Sequence, residues 1–391
     1  MCGWRLKWAG APRTMALGLA RVSFLAWACL TLPARFTAAG EPLVRLGSIP
    51  LPGVEGRLDH LTYAPATQRL FVAALENHSV EVVDLNRRRR VHRITGIREP
   101  QGLLYLAEKN RLLVGSRGDG TCRSFDATTL AEGPWVDLGR NADNVRYDAT
   151  AQVIYVGSGG EPGTGLLSAI DRVAMLPAAQ GGRPAPPQSP ADLLLDRPRA
   201  AVPRTQVELP SHPESFQLDL ANHRVLINLP EEHEIAVFQQ GTNGLTRVAS
   251  WPVIVGEKNF PMALDADSGR LFIACRQPAV LAVYDLRTGA VLSQTPCVGD
   301  ADDLFWDRAL GHLYVIGGEG YLDVFEVPAT ARAAVRLGHL PTAPRARTGL
   351  FIPERRILAV VAPHLVHRPA AVLLFQTSPP PVRRTPPALN R

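Results

Sequence analysis

The chain predicts an all-β fold, a seven-bladed β-propeller closed by the N-terminal strand pairing into the last blade. Three observations carry this. A strand-like run recurs seven times, further runs flank each copy in a fixed order, and the strand missing after the last copy reappears before the first. The recurring run B starts at Arg69, Arg111, Val153, Arg224, Arg270, His312 and Arg356, at spacings of 42, 42, 71, 46, 42 and 44 residues. A fixed period of this size marks a repeat architecture, in which each unit buries its apolar face on the next.

Run A precedes each copy, at 61–63, 103–105, 145–147, 216–218, 262–264, 304–306 and around Leu350 and Phe351. Its apolar spacing of two puts those side chains on one face of a sheet. A turn rich in Pro, Asp, Gly or Asn leads into B, and run C follows at 80–84, 121–125, 166–170, 234–238, 280–284, 321–325 and 371–375. A weaker run D follows six of the C runs, at 91–94, 135–138, 206–209, 247–251, 291–295 and 335–340. The seventh C run meets only the tail 378–391, rich in Pro and Arg, which cannot donate a regular ladder and is expected to be disordered. The segment 43–49, Leu-Val-Arg-Leu-Gly-Ser-Ile, resembles Val-Arg-Leu-Gly-His-Leu at 335–340 and supplies the missing strand. Closure of the ring removes the open edge that a linear array would leave wet. A β-sandwich would not show seven equal units, and solenoid turns are shorter than 42 residues. The one long interval contains 173–204, rich in Pro, Ala, Gly and Arg, and reads as an insertion between blades 3 and 4.

Of 391 residues, 46% are hydrophobic and 20% charged, a balance that excludes a disordered chain. The formal charge of +6 falls to about +1 without residues 1–39, which hold Arg5, Lys7, Arg13, Arg21 and Arg35 and no acid. That remainder offers no global field for nucleic acid, which is disfavoured as a partner. Residues 1–39 run from a charged stretch through an 11-residue, mostly apolar run at 22–32 to Thr37-Ala-Ala39, the order of a secretory signal. Eleven residues are too few to span a bilayer, which takes ~20. The expectation is a secreted or periplasmic protein, a monomer of one propeller over 40–377, without a membrane span. Cys122, Cys275 and Cys297 would remain after cleavage, an odd set that excludes a stapled scaffold. Cys275 and Cys297 lie two strands apart, beyond the usual reach of a disulfide.

Blade five, Gly269-Arg-Leu-Phe-Ile-Ala-Cys-Arg-Gln-Pro-Ala-Val-Leu-Ala-Val-Tyr-Asp-Leu-Arg-Thr-Gly289, resembles the repeats of the YVTN-repeat, YncE-like propellers. Val80-Glu-Val-Val-Asp-Leu85 in blade one is similar, and the resemblance spans residues 43–377. No copy ends strand B with the full Tyr-Val-Thr-Asn signature. The resemblance implies blades. It carries over no catalytic residue, because propellers of this shape serve as enzymes, cofactor-bearing subunits and binding scaffolds.

The repeat arithmetic nominates a site. Loops between D and A, and between B and C, leave the ring at one mouth. Ten residues before each B start lie Asp59, Gln101, Asp143, Glu214, Phe260 and Asp302; the next column reads His60, Gly102, Asn144, Ser215, Pro261, Asp303 and Arg347. The expected ligand-binding residues are Asp59, His60, Gln101, Asp143, Asn144, Glu214, Asp302, Asp303 and Arg347, in an acidic mouth where Arg57 and Arg140 are also interspersed, and the expected ligand is a small molecule or protein. His60 and His212 could converge there. No metal ligands and no cofactor are assigned. Asp300-Ala-Asp-Asp303 lacks the spacing and glycine of a calcium loop, and His364-Leu-Val-His367 would ligate only on a helix. Arg87-Arg-Arg-Arg90 reads as a solvated turn on the opposite face. No nucleophile elbow, phosphate loop, zinc-protease helix or haem-attachment motif is present. The first expectation is therefore a binding or scaffold module. The second is a metal-assisted lactonase- or lyase-like enzyme with His60 as general base and Asp302 or Glu214 holding the ion.

Overall fold

The computed structural model describes residues 41–139, 141–159, 163–177, 201–242, 244–328 and 333–377. The expected signal at 1–39, the tail at 378–391, Arg140 and most of the 173–204 insertion lie outside them. Seven four-stranded antiparallel sheets form the fold, each in the order A-B-C-D. Blade 1 holds strands Leu61–Ala64, Arg69–Ala74, Ser79–Asp84 and Arg89–Thr95. Blade 7 holds Gly349–Ile352, Ile357–Ala362 and Ala371–Thr377, and its fourth strand is Leu43–Pro50 from the other end of the chain. That strand runs antiparallel to Ala371–Thr377 from Leu43 opposite Thr377 to Pro50 opposite Ala371, with a bulge between Arg45 and Gly47. Each strand A touches the A strands of both neighbouring blades, and the last touches the first. The ring is closed.

Its core is divided into seven apolar clusters, each filling the gap between two adjacent blades. This follows from strands buried on both faces, which read as unbroken apolar runs such as Leu70-Phe-Val-Ala-Ala74. The turn from A to B ends in a left-handed residue in every blade: Gln68, Asn110, Gln152, His223, Gly269, Gly311 and Arg356. Cys122, Cys275 and Cys297 are free thiols.

Arginines at the start of strand B tie blade to blade on the face opposite the mouth. Arg69 donates to the carbonyls of Ala127 and Thr128. Arg224 pairs with Asp219 at 2.6 Å and donates to the Leu286 carbonyl. Arg270 pairs with Asp265 at 2.7 Å, both nearly buried, and donates to the carbonyls of Val327 and Pro328. In each case the carbonyls belong to the C-to-D turn of the next blade. His312 occupies the same position in blade 6, is 1% exposed, and finds no hydrogen-bond partner for either ring nitrogen.

Burial holds the His312 pKa below its ordinary value. The unfolded chain therefore takes up a proton first as the pH falls through about 6.5, and stability present above that pH is lost below it. His312→Leu should raise the thermal midpoint more at pH 5.5 than at pH 7.5, which paired melting curves will read.

The run 87–90 does more than face solvent. Arg88 donates to the Leu46 carbonyl, Arg90 to that of Pro52, and Arg93 to that of Gly53. Arg90 and Arg93 also clasp the buried Glu81 at 2.8 and 2.7 Å. Arginines of blade 1 thus brace the chain that closes blade 7.

The described ends of the insertion are anchored. Met175 is buried between blades 2 and 3, and Ala201 bridges Val136.

Candidate functional site

The mouth is built at the start of the innermost strands, and in four blades a β-bulge there interrupts the pairing of A with B. Register shifts fall between Pro100 and Leu103, Ala142 and Val145, Asn259 and Met262, and Ala301 and Asp303. A bulge re-aims side chains, so two neighbouring residues of one strand can both serve the mouth. Gly102 sits at one such place for a steric reason: a Cβ there would lie 1.7 Å from the Asp143 carbonyl oxygen of the next blade.

Arg347 belongs to a different column from the one the sequence suggested. Strand B of blade 7 starts at Ile357, because Arg356 is the left-handed turn residue. Backbone bonding confirms the shift, since Val361 N donates to the Thr348 carbonyl as Ala73 N does to His60 and Asn228 N to Ser215. The first column is therefore Asp59, Gln101, Asp143, Glu214, Phe260, Asp302 and Arg347, one residue from each blade.

All seven line two neighbouring cavities. The wider one, about 290 Å³, is bounded by Gln101, Asp143, Glu214, Phe260, Asp302 and Arg347 with Arg57, Arg117, His212, Glu231 and Arg276 among others. The smaller, about 20 Å³, is reached by Asp59, His60, Asn144 and Asp303 and shares Asp143, Glu214 and Asp302 with the first. All nine residues expected at the site thus lie together.

Their charges are interlocked. Arg57 pairs with Asp59 at 2.7 Å. Asp302 is held at both oxygens, Oδ1 by Arg276 at 2.6 Å and Oδ2 by Arg347 at 2.9 Å. Both arginines also reach Asp300 at 3.3 Å, and Arg276 lies over the Phe260 ring, 3.9 Å from its centroid. Asp303 accepts from the Gly349 amide at 2.8 Å. His60 stands among three carboxylates, 3.5 Å from Asp143, 3.7 Å from Asp59 and 3.8 Å from Asp303. His212 approaches the other Asp143 oxygen at 3.3 Å. The two histidines do converge, on one carboxylate. Arg146, absent from the sequence reading, lies on the same innermost strand two residues beyond Asn144 and packs over Phe216.

These contacts set the protonation states. Burial alone would lower the His60 pKa, but the charges of Asp59, Asp303 and Asp143 outweigh it and raise it to about 10. Burial would raise Asp143, but hydrogen bonds with His212 and His60 hold it well below the carboxylate range. Burial, followed by the charge of Asp143, raises Glu214 to about 7; burial also raises Asp303 to about 7 and Asp59 to about 6. His60 is thus an imidazolium at neutral pH, with no free nitrogen to act as general base. Asp302, clasped by two guanidiniums, has no oxygen to offer an ion. The geometry speaks against His60 as the general base and Asp302 as the ion ligand of an enzyme, and leaves Glu214, the other expected ion ligand, without a guanidinium of the described residues on it. Among the described residues, one group has donors close enough to share a metal ion: Asp143, His212 and Glu214, within 4.8 Å of one another. His364 instead meets Glu55 at 2.6 Å, in a turn.

No protein-family model matches the chain, and no curated protein does. Among solved structures, 1502 chains match, a breadth that marks a common fold and leaves function open. One, from the "Crystal Structure of Mitotic Checkpoint Complex", aligns with a TM-score of 0.63 at 11% identity, over 93% of this chain and 98% of that one. At that identity the likeness shows the fold alone. Fold and site together define a seven-bladed propeller with a polar, ion-paired pocket at one mouth. Among the described residues no helix is long and apolar enough to cross a membrane.

Proposed function

We propose that this chain is an exported, monomeric, YncE-like propeller that binds a small polar ligand in its mouth pocket. The observation that carries the reading is the first column: six blades each contribute one residue to a cavity of about 290 Å³, and the seventh residue, Asp59, lines the small cavity beside it. That volume sits at the small end of ligand pockets. Its walls pair guanidiniums with carboxylates, so a molecule with both hydrogen-bond donors and acceptors, of the size of a simple sugar, matches it. Export rests on the order of charged, apolar and small residues across 1–39, and the YncE-like assignment on the segment 269–289. Closure, which leaves no blade unpaired, supports the monomer.

A thermal-shift screen with sugars, lactones and short peptides tests the reading. At a hundred times its Kd, a ligand of the folded state adds ~2.7 kcal/mol of stability. The double variant Asp302→Asn, Asp303→Asn should keep the fold and weaken the best ligand at least tenfold. Unchanged affinity in that variant would place the ligand elsewhere and overturn the proposal.

A further inference from the structure

We infer that Asp143, His212 and Glu214, with the side-chain oxygen of Asn144, form a site for one first-row divalent cation, Zn²⁺ or Mn²⁺, at the junction of the two cavities. The inference deepens the mouth-pocket reading and rests on it. Three donors of two kinds lie within 4.8 Å of one another. In a tetrahedral zinc site with bonds of ~2.0–2.2 Å, neighbouring donors stand ~3.4 Å apart. His212 Nε2 and Asp143 Oδ2, at 3.3 Å, already have that separation. No pair needs to close by more than ~1.4 Å, a movement within reach of the Glu214 side chain.

Asn144 supplies an independent observation. It is 4% exposed, and its Oδ1 has no hydrogen-bond partner. The amide cannot be turned round, because its nitrogen donates to the Glu214 carbonyl at 2.9 Å and lies 3.4 Å from Asp143 Oδ1, both of them acceptors. A buried acceptor is therefore left unpaired on a residue that lines the inner cavity, as Asp143 and Glu214 also do, and the ~20 Å³ there admits one body of the size of a water or an ion. The Glu214 carboxylate likewise makes no direct hydrogen bond or ion pair with a described residue, unlike Asp59, Asp302 and Asp303. Asp143 divides its work, with Oδ1 turned to His60 and Oδ2 to His212. One imidazole nitrogen with carboxylate and amide oxygens suits zinc or manganese better than calcium, which takes oxygen ligands in greater number.

The test is calorimetric titration of the purified full chain, freed of metal with chelator, with ZnCl₂, MnCl₂ and CaCl₂ separately. One equivalent of Zn²⁺ or Mn²⁺ should bind at least tenfold more tightly than Ca²⁺. His212→Asn and Glu214→Gln should each weaken it at least tenfold, while Asp267→Asn, at an exposed position outside both cavities, leaves it within twofold. Both ligand variants replace a side chain by a polar one of similar or smaller size at a position open to the cavity, and their melting curves will show that they fold. No saturable binding, or binding that both variants keep, would overturn the metal site. Because the small-ligand screen reads Asp302 and Asp303 while this titration reads His212 and Glu214, failure of one does not imitate failure of the other.

Discussion

Removing residues 41–50 should lower the thermal midpoint by 15 °C or more, or leave a chain that elutes as aggregate. The lost strand, Leu43–Pro50, is the outer strand of blade 7. Its Leu43 is buried between blades 6 and 7, and its Ile49 between blades 7 and 1. Each contributes ~2 kcal/mol by burial. The deletion also exposes the edge of Ala371–Thr377 and removes the Leu46 carbonyl that Arg88 holds. A loss of ~5 kcal/mol is comparable with the whole stability of many domains. Val44 and Leu46 lie on the exposed side of the same strand, so Val44→Thr and Leu46→Thr should change stability by no more than ~0.5 kcal/mol. Melting curves and gel filtration separate these cases. A deletion as mild as the two surface changes would mean that the ring does not depend on its latch.

The second large effect is expected at Arg270. Arg270→Met should cost ~3–5 kcal/mol in urea unfolding, because Asp265 would keep a buried charge without its partner. The double variant Arg270→Met, Asp265→Leu removes both charges and should recover at least half of the loss. A double variant as unstable as the single one would locate the effect in the carbonyls of Val327 and Pro328, which Arg270 also serves.

These two sites show where sequence was sufficient and where it was not. The ring was legible because its information is periodic: a 42-residue repeat and one displaced strand determine which elements pair. The columns at the mouth were legible for the same reason, and only blade 7 slipped. There the arginine at 356 imitated the arginines that begin strand B elsewhere, while the backbone uses it as the left-handed turn residue. The Arg87–Arg90 run looked like a solvated turn because its carbonyl acceptors lie about 40 residues upstream, and only closure brings them near. Arg270 was read as the start of a strand, since nothing local reveals that its guanidinium reaches the next blade. The three carboxylates around His60 come from blades 1, 3 and 6, so the imidazolium they enforce is a property of the ring's curvature rather than of any segment. Arg146 could have been found by taking every second residue along the innermost strand beyond the first two columns.

Carbodiimide labelling of carboxylates, with and without the ligand selected by the thermal-shift screen, examines the gathering of these groups most directly. Glu214 and Glu231, which line the wider cavity, should lose reactivity when the ligand is bound, while Glu132 and Asp267, which are exposed and lie away from the mouth cavities, should label equally in both states. Equal labelling of Glu214 and Glu231 with and without ligand, or protection at Glu132 or Asp267 instead, would contradict a ligand site at the mouth of the ring.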